Sequence, residues 1–206
     1  MKDEGRVPAS PRLASSWRVF CAIEPSEEIS ALAFKHVRQL EKEFPHIQAS
    51  WNREGKFHLT LKFFGNIPVE RVTAVSQAAS LAVEGKSEFQ ISVAGAGAFP
   101  KHGPPHVLWL GIDDLTGNLL RLQQELEEEC SNLGFEREAR PYHPHLTLAR
   151  LRKRRGTREL GLSHRRLGFA DVPMTVSELL VVRSELDPTG SRYSEISKHR
   201  LSSTKS

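Results

Sequence analysis

His58-Leu59-Thr60-Leu61 and His145-Leu146-Thr147-Leu148 are the same four letters, 87 residues apart. Each lies in a short run of β-forming residues and reads as a strand: residues 57–64 around the first copy, residues 145–150 around the second. Side chains alternate along a strand, so His and Thr share one face and the two leucines share the other. The leucine face belongs to a core. The opposite face carries an imidazole beside a hydroxyl, twice. Strand propensity accounts for Leu and Thr but not for the repeated His.

Working outward, both copies sit in similar surroundings. Upstream of the first, residues 17–23 read as a strand. Ser26 with Glu27 and Glu28 marks a helix start, Ile29, Leu32, Val37, Leu40 and Phe44 recur on one helical face, and Pro45 ends it. Residues 47–51 form a weak strand. Downstream, Pro68 opens a helix with Val69, Val72, Val75, Ala79 and Val83 on one face, residues 88–94 alternate as a strand, and a Gly/Pro-rich loop spans residues 95–105. The second copy follows a strand at 107–112 and a helix whose stripe is Leu115, Leu119, Leu122, Leu126, Cys130 and Leu133, closed by Gly134. A basic segment covers 150–166, and strands at 174–183 and 192–197 join across the turn 187–190. Strands and helices are mixed, with several hairpins. The expectation is an α+β fold with an internal duplication, two antiparallel sheets flanking a groove and helices on their outer faces.

Composition sets the limits. The chain has 206 residues, 38% hydrophobic and 26% charged, which suits one globular domain or two packed halves. We place a single bilobal domain at 17–201, a disordered leader at 1–16 and a short tail at 202–206. No apolar run approaches the ~20 residues of a membrane helix, and the leader lacks the apolar stretch of a secretory signal. Cys21 and Cys130 are too few for a disulfide framework, so a reducing, cytoplasmic location is the expectation. The excess of 29 basic over 25 acidic residues permits an anionic partner without demanding one. Nothing calls for a membrane, an obligate protein partner or a dimer.

Two imidazoles and two hydroxyls facing each other match an in-line displacement at phosphorus. One neutral His takes a proton from water, one protonated His gives a proton to the leaving ribose oxygen, and the hydroxyls donate to the non-bridging oxygens. Histidine suits both roles because its unperturbed pKa lies near working pH. A metal is not needed for this scheme. The pairs His143/His145 and His102/His106 lack the Cys or carboxylate companions of a zinc site, and 95–97 lacks the context of a dinucleotide-binding loop. We therefore assign no metal and no cofactor.

HLTLKFFG at 58–65 and HPHLTLAR at 143–150 resemble the two HXTX motifs of the 2H phosphoesterase superfamily, in particular its bacterial and archaeal RNA 2′,3′-cyclic phosphodiesterase (2′-5′ RNA ligase) family. WRVFCAIEPSEEI and VSELLVVRSELDPTGSRYSEI resemble that family's first strand and helix and its last hairpin, so the resemblance covers roughly residues 17–201. It implies a bilobal fold with the motifs facing across a groove. It also implies His58 as proton donor, His145 as proton acceptor, and Thr60 and Thr147 on the phosphate oxygens. The implied reaction opens a terminal 2′,3′-cyclic phosphate on RNA to a 2′-phosphomonoester, with 2′-5′ joining as its reverse. The implied partner is an RNA end or oligonucleotide carrying that group.

Other residues have two readings each. Arg150 suits phosphate by its guanidinium fork. By strict alternation it falls on the leucine face, and it reaches the groove only if the strand ends at Ala149. Phe64 and Tyr142 could stack on a base or pack in the core, the latter more natural for Phe64. Arg150, Arg152, Lys153, Arg154, Arg155, Arg158, Arg165 and Arg166 could follow an RNA backbone or form a solvated loop. Two rival functions remain: a nucleotide-binding module without turnover, and a phosphodiesterase for small cyclic nucleotides.

Overall fold

The computed structural model describes residues 15–153, 155–187 and 190–203. Most of the expected leader, Arg154, the Pro188-Thr189 pair of the last turn and residues 204–206 lie outside them. In chain order the elements are β1 (Ser16–Ile23), α1 (Glu27–Glu43), β2 (Ala49–Trp51), β3 (Leu59–Pro68), α2 (Val72–Val83), β4 (Phe89–Phe99), β5 (Val107–Asp113), α3 (Asn118–Asn132), β6 (His145–Leu151), α4 (Thr157–Leu167), β7 (Val172–Val176), β8 (Glu178–Asp187) and β9 (Gly190–Arg200).

All named strands join one antiparallel sheet in the order β7-β4-β5-β6-β3-β1-β8-β9, with β2 added on β6. The two expected sheets are the two wings of this one sheet. They meet at β3 and β6, where Leu59 opposite Leu146 is the single registered pair among the described residues. One pair holds the wings together while the strands diverge on either side, so the junction is a groove.

The duplication is visible in the connections. Strand β1, helix α1, strand β3, helix α2 and strand β4 correspond in order to β5, α3, β6, α4 and β8. Each copy sends its last strand to the other wing: β4 pairs with β5, and β8 pairs with β1. Helices cross as well. Helix α1 packs on β6 and α4, and α3 packs on β3 and α2. Each wing thus takes a strand from the other copy, so neither half closes its sheet alone.

Local chemistry explains most boundaries. Ser26 caps α1, its hydroxyl accepting from the Ile29 N–H at 3.3 Å, and Ile29, Ala33, Val37 and Leu40 are buried beneath it. The α3 stripe starts later than the periodicity implies. The Asp114 carboxylate accepts from the Thr116 hydroxyl and the Leu120 N–H, both at 3.2 Å, which fixes a turn ahead of the helix and leaves Leu115 98% exposed. Both cysteines are free and buried in the core. No helix among the described residues is long and apolar enough to cross a membrane.

Three differences from the sequence reading matter. Ser16 and Ser202, assigned to the flanks, are tied in: Ser16 registers with Pro68, and Ser202 hydrogen-bonds the backbones of Lys86 and Glu88. Strand β4 runs on through residues 95–99, read as loop, because Gly97 leaves the space that the Trp109 ring occupies. Most of the basic segment folds into α4, whose buried face carries one leucine, Leu160, beside Thr157, Gly161, Ser163 and His164. That face is held by a polar chain: the fully buried His164 Nε2 donates to the carbonyls of Gly97 and Trp109, each at 3.1 Å, and its Nδ1 accepts from His36 Nε2 at 2.8 Å. Burial drives both imidazoles towards the neutral form, His36 down to about 4.

Candidate active site

Leu59 and Leu146 are fully buried on the core face. Their neighbours therefore point into the groove: His58 just ahead of β3 and Thr60 within it, His145 and Thr147 from β6. Antiparallel order about the Leu59–Leu146 pair sets His58 across from Thr147 and Thr60 across from His145. All four side chains are half-buried. The two pairs separated by 87 residues thus share one surface.

Both imidazoles are held in the same way. Nδ1 of His58 lies 3.1 Å from the Lys56 carbonyl, and Nδ1 of His145 lies 2.8 Å from the His143 carbonyl. A carbonyl only accepts, so each Nδ1 carries the proton. The neutral ring then has its basic nitrogen at Nε2, and only the cation has a proton to give there. Burial lowers the pKa of both rings, partly offset by these backbone bonds. His58 senses the charge of His145, and both sense Arg150.

A bulge follows each motif at the same place. Ala22 registers with Thr60 and Cys21 with Lys62, so Leu61 is extra. Trp109 registers with Thr147 and Leu108 with Ala149, so Leu148 is extra. The bulge resets alternation. Strand β6 does not end at Ala149 as the groove reading of Arg150 required. Instead the bulge brings Arg150 back to the groove face, opposite Val107 and exposed. On the first motif the same shift buries Lys62 with the core and puts Phe63 on the groove face opposite Phe20. Phe63 is 50% exposed, with the Arg18 guanidinium 4.5 Å above its ring.

That shift overturns the stacking role for Phe64. Phe64 is the extra residue of a second bulge and packs on the core side against Phe135, ring centroids 5.1 Å apart. The aromatic face open to the groove is Phe63, one residue earlier. Tyr142 is half-buried against the core, and its hydroxyl donates to the Thr60 carbonyl at 3.2 Å. Its structural role is a tether. Asn52 does the converse: its side-chain amide donates to the Thr147 carbonyl at 2.7 Å and its backbone N–H to the Leu148 carbonyl at 2.8 Å. The segment entering each motif thus grips the threonine of the other. Asn52→Leu, alone and with Tyr142→Phe, should lower kcat about tenfold or more while leaving KM within about twofold, because a small displacement of reacting groups is costly. Steady-state kinetics checks this, and a loss confined to KM would contradict it.

Sequence reasoning also missed the groove's aromatic walls. Phe20 and Tyr193 flank His58 at 4.8 and 5.0 Å between ring centroids. Phe99 lies 5.3 Å from His145, and Phe99 and Trp109 lie 5.2 and 5.1 Å from His143. The Trp109 indole N–H is buried without a partner among the described residues. Alternation on β5 from Trp109 could have flagged that residue; Tyr193 depends on the β8–β9 register and carries no local signal. Among the described residues no three His, Cys, Asp or Glu side chains converge as a metal site would require.

A duplicated α+β fold that sets two His-x-Thr pairs over one groove defines a two-histidine, or 2H, phosphoesterase. The chain belongs to the 2′-5′ RNA ligase superfamily, whose family model matches residues 33–188. A relative from Thermotoga maritima named RNA 2′,3′-cyclic phosphodiesterase is 30% identical over 176 residues, 85% of this chain and 91% of its own. One of the same name from Methanothermobacter thermautotrophicus is 31% identical over 187 residues, 89% and 98% of the two chains. The crystal structure of E. coli LigT complexed with 3′-AMP superposes with a TM-score of 0.71 at 25% identity, covering 91% of this chain and 99% of that one. A Thermus thermophilus structure gives 0.73 at 25% identity, covering 91% and 100%.

Proposed function

We propose that this chain is an RNA 2′,3′-cyclic phosphodiesterase that opens a terminal cyclic phosphate to a 2′-phosphomonoester. The observation that carries this is the matched pair of imidazoles, each with Nδ1 capped by a carbonyl and Nε2 left for chemistry on a shared groove. The names of the relatives support the substrate. His145 Nε2 takes a proton from water as its oxygen attacks phosphorus. His58, protonated, gives a proton to the departing 3′ oxygen. The two hydroxyls, which have no intramolecular partner among the described residues, hold the non-bridging oxygens together with Arg150. The P–O3′ bond breaks, the new P–O bond forms, and the 2′-phosphate leaves. With an RNA 5′-hydroxyl attacking phosphorus in place of water, His145 takes the hydroxyl proton, the P–O3′ bond breaks with the proton from His58, and the same groups join ends through a 2′-5′ linkage.

Product analysis tests this reading. On a defined RNA ending in 2′,3′-cyclic phosphate, the expected product carries a 2′-phosphate, and chelators should leave the rate unchanged. A 3′-phosphate product, or no turnover, would contradict it.

The pH profile follows from the site. His58 must be protonated and His145 neutral, and burial holds both below the ordinary value of 6.5. In the free enzyme the donor therefore loses its proton early as pH rises. The bell for kcat/KM should peak on the acidic side of about 6.5, and its two limbs report the coupled pair rather than single residues. A bound phosphate anion favours the protonated donor, which raises its pKa, so the alkaline limb of kcat should lie at higher pH than that of kcat/KM. Rates from about pH 4.5 to about pH 9 check both statements.

A further inference from the structure

Beyond the terminal phosphate, the rim of the groove carries a second basic site. Arg150 registers with Val107, and the Leu151 N–H donates to the His106 carbonyl at 2.8 Å. The end of β6 is thereby laced to the loop between β4 and β5. That loop folds over α4, and between them is an open pocket of about 230 Å³. Its walls include Lys101, His102 and Pro105 from the loop and Arg158, Leu162 and Arg165 from the helix. The helical contribution, Arg158, Gly161, Leu162 and Arg165, is one face at the spacing i, i+3, i+4, i+7.

Two features indicate what it takes. The first is uncompensated charge. Among the described residues, Arg38, Lys62, Lys86, Arg137, Arg140, Arg183, Lys198 and Arg200 are paired with carboxylates. Lys101, Arg158 and Arg165 are not, and no acidic side chain lines the pocket. The neighbouring acid, Glu159, is turned about 100° from Arg158 on the helix. The second is construction. Gly161 is buried where any Cβ would lie 3.1 Å from Pro105 Cγ, and Arg165 donates to the Lys101 carbonyl at 3.2 Å. The loop is thus seated on the helix, and Leu162, 52% exposed, gives an apolar patch between the cations.

We infer that this pocket binds a backbone phosphate of the RNA strand upstream of the cyclic phosphate. The inference rests on the function proposed above and deepens it: the substrate is an oligonucleotide end rather than a small cyclic nucleotide. The connection is continuous. Phe99 touches His145 in the groove, and Lys101 lies two residues further on, past the bend at the end of β4. Arg150 stands where the strand passes from groove to rim. A chain entering over Arg150 places its next phosphate against Lys101, Arg158 and Arg165.

The test compares kcat/KM on a short RNA ending in 2′,3′-cyclic phosphate with that on a 2′,3′-cyclic mononucleotide. It uses the wild type, Arg158→Glu, and Arg158→Gln with Arg165→Gln. Arg158 is exposed and has no carboxylate partner among the described residues, so Arg158→Glu should fold normally. Both variants should lose about tenfold or more on the oligonucleotide and stay within about twofold on the mononucleotide. The salt dependence of log kcat/KM on the oligonucleotide should flatten by about 0.7 for each phosphate no longer neutralised. An equal loss on both substrates, or no loss on either, overturns the inference while leaving the catalytic reading intact. A wild type that turns over neither substrate overturns both.

Discussion

His58→Ala and His145→Ala should each lower single-turnover hydrolysis of a cyclic-phosphate RNA by about 10²–10⁴-fold, the usual contribution of a positioned acid or base. The expectation rests on how the rings are held. Each Nδ1 is committed to a backbone carbonyl, so Nε2 alone meets the substrate and no neighbouring nitrogen can replace it. His143 is close to the second ring at 6.2 Å between centroids, but it precedes β6 and sits against Phe99 and Trp109. The two losses should also differ in form. Without the acceptor the acidic limb of the pH profile disappears; without the donor the alkaline limb does. The double variant should lose less than the product of the single losses, because the two groups act on one phosphorus as a unit. Both rings are only half-buried, so folding should be little changed, and thermal unfolding provides the control.

Lys62→Met should be the most damaging single change to stability outside the apolar core. The bulge after Thr60 turns Lys62 inward, where it is 5% exposed. Its ammonium donates to Glu127 Oε2 at 2.6 Å and to the Glu136 carbonyl at 2.8 Å. Glu127 also accepts from Gln123 at 3.3 Å. Removing the cation leaves a buried carboxylate without its counter-charge, which costs about 3–5 kcal/mol. Lys62→Met with Glu127→Leu removes both charges and should recover much of that loss, since an apolar pair of similar size is often as stable as a buried ion pair. Urea unfolding measures both variants. A cost below about 1 kcal/mol for the single change would show that the pair contributes little.

The repeated tetrapeptide makes the site legible because its information is local. Alternation alone puts His and Thr on one face, and two copies imply a shared groove. What is not legible depends on register. Arg150 and Phe63 reach the groove through bulges that break strict alternation, and nothing in HLTLKFF or HLTLAR shows where the extra residue falls. The same shift sends Phe64 inward. Helix α4 is hidden because its buried face holds a single leucine, Leu160, among Thr157, Gly161, Ser163 and His164. The exchange of β4 and β8 between wings is equally hidden, since the sequence shows two repeats but not that each completes the other.

The most direct test of the acid–base pair replaces the leaving 3′ oxygen of the cyclic phosphate with sulfur. A thiolate departs without needing a proton. On this substrate His58→Ala should regain most of its lost rate, while His145→Ala, which lacks the group that activates water, should stay slow. If both variants remained equally slow, or if His145→Ala were the one restored, the assignment of donor and acceptor around a single phosphorus would be wrong.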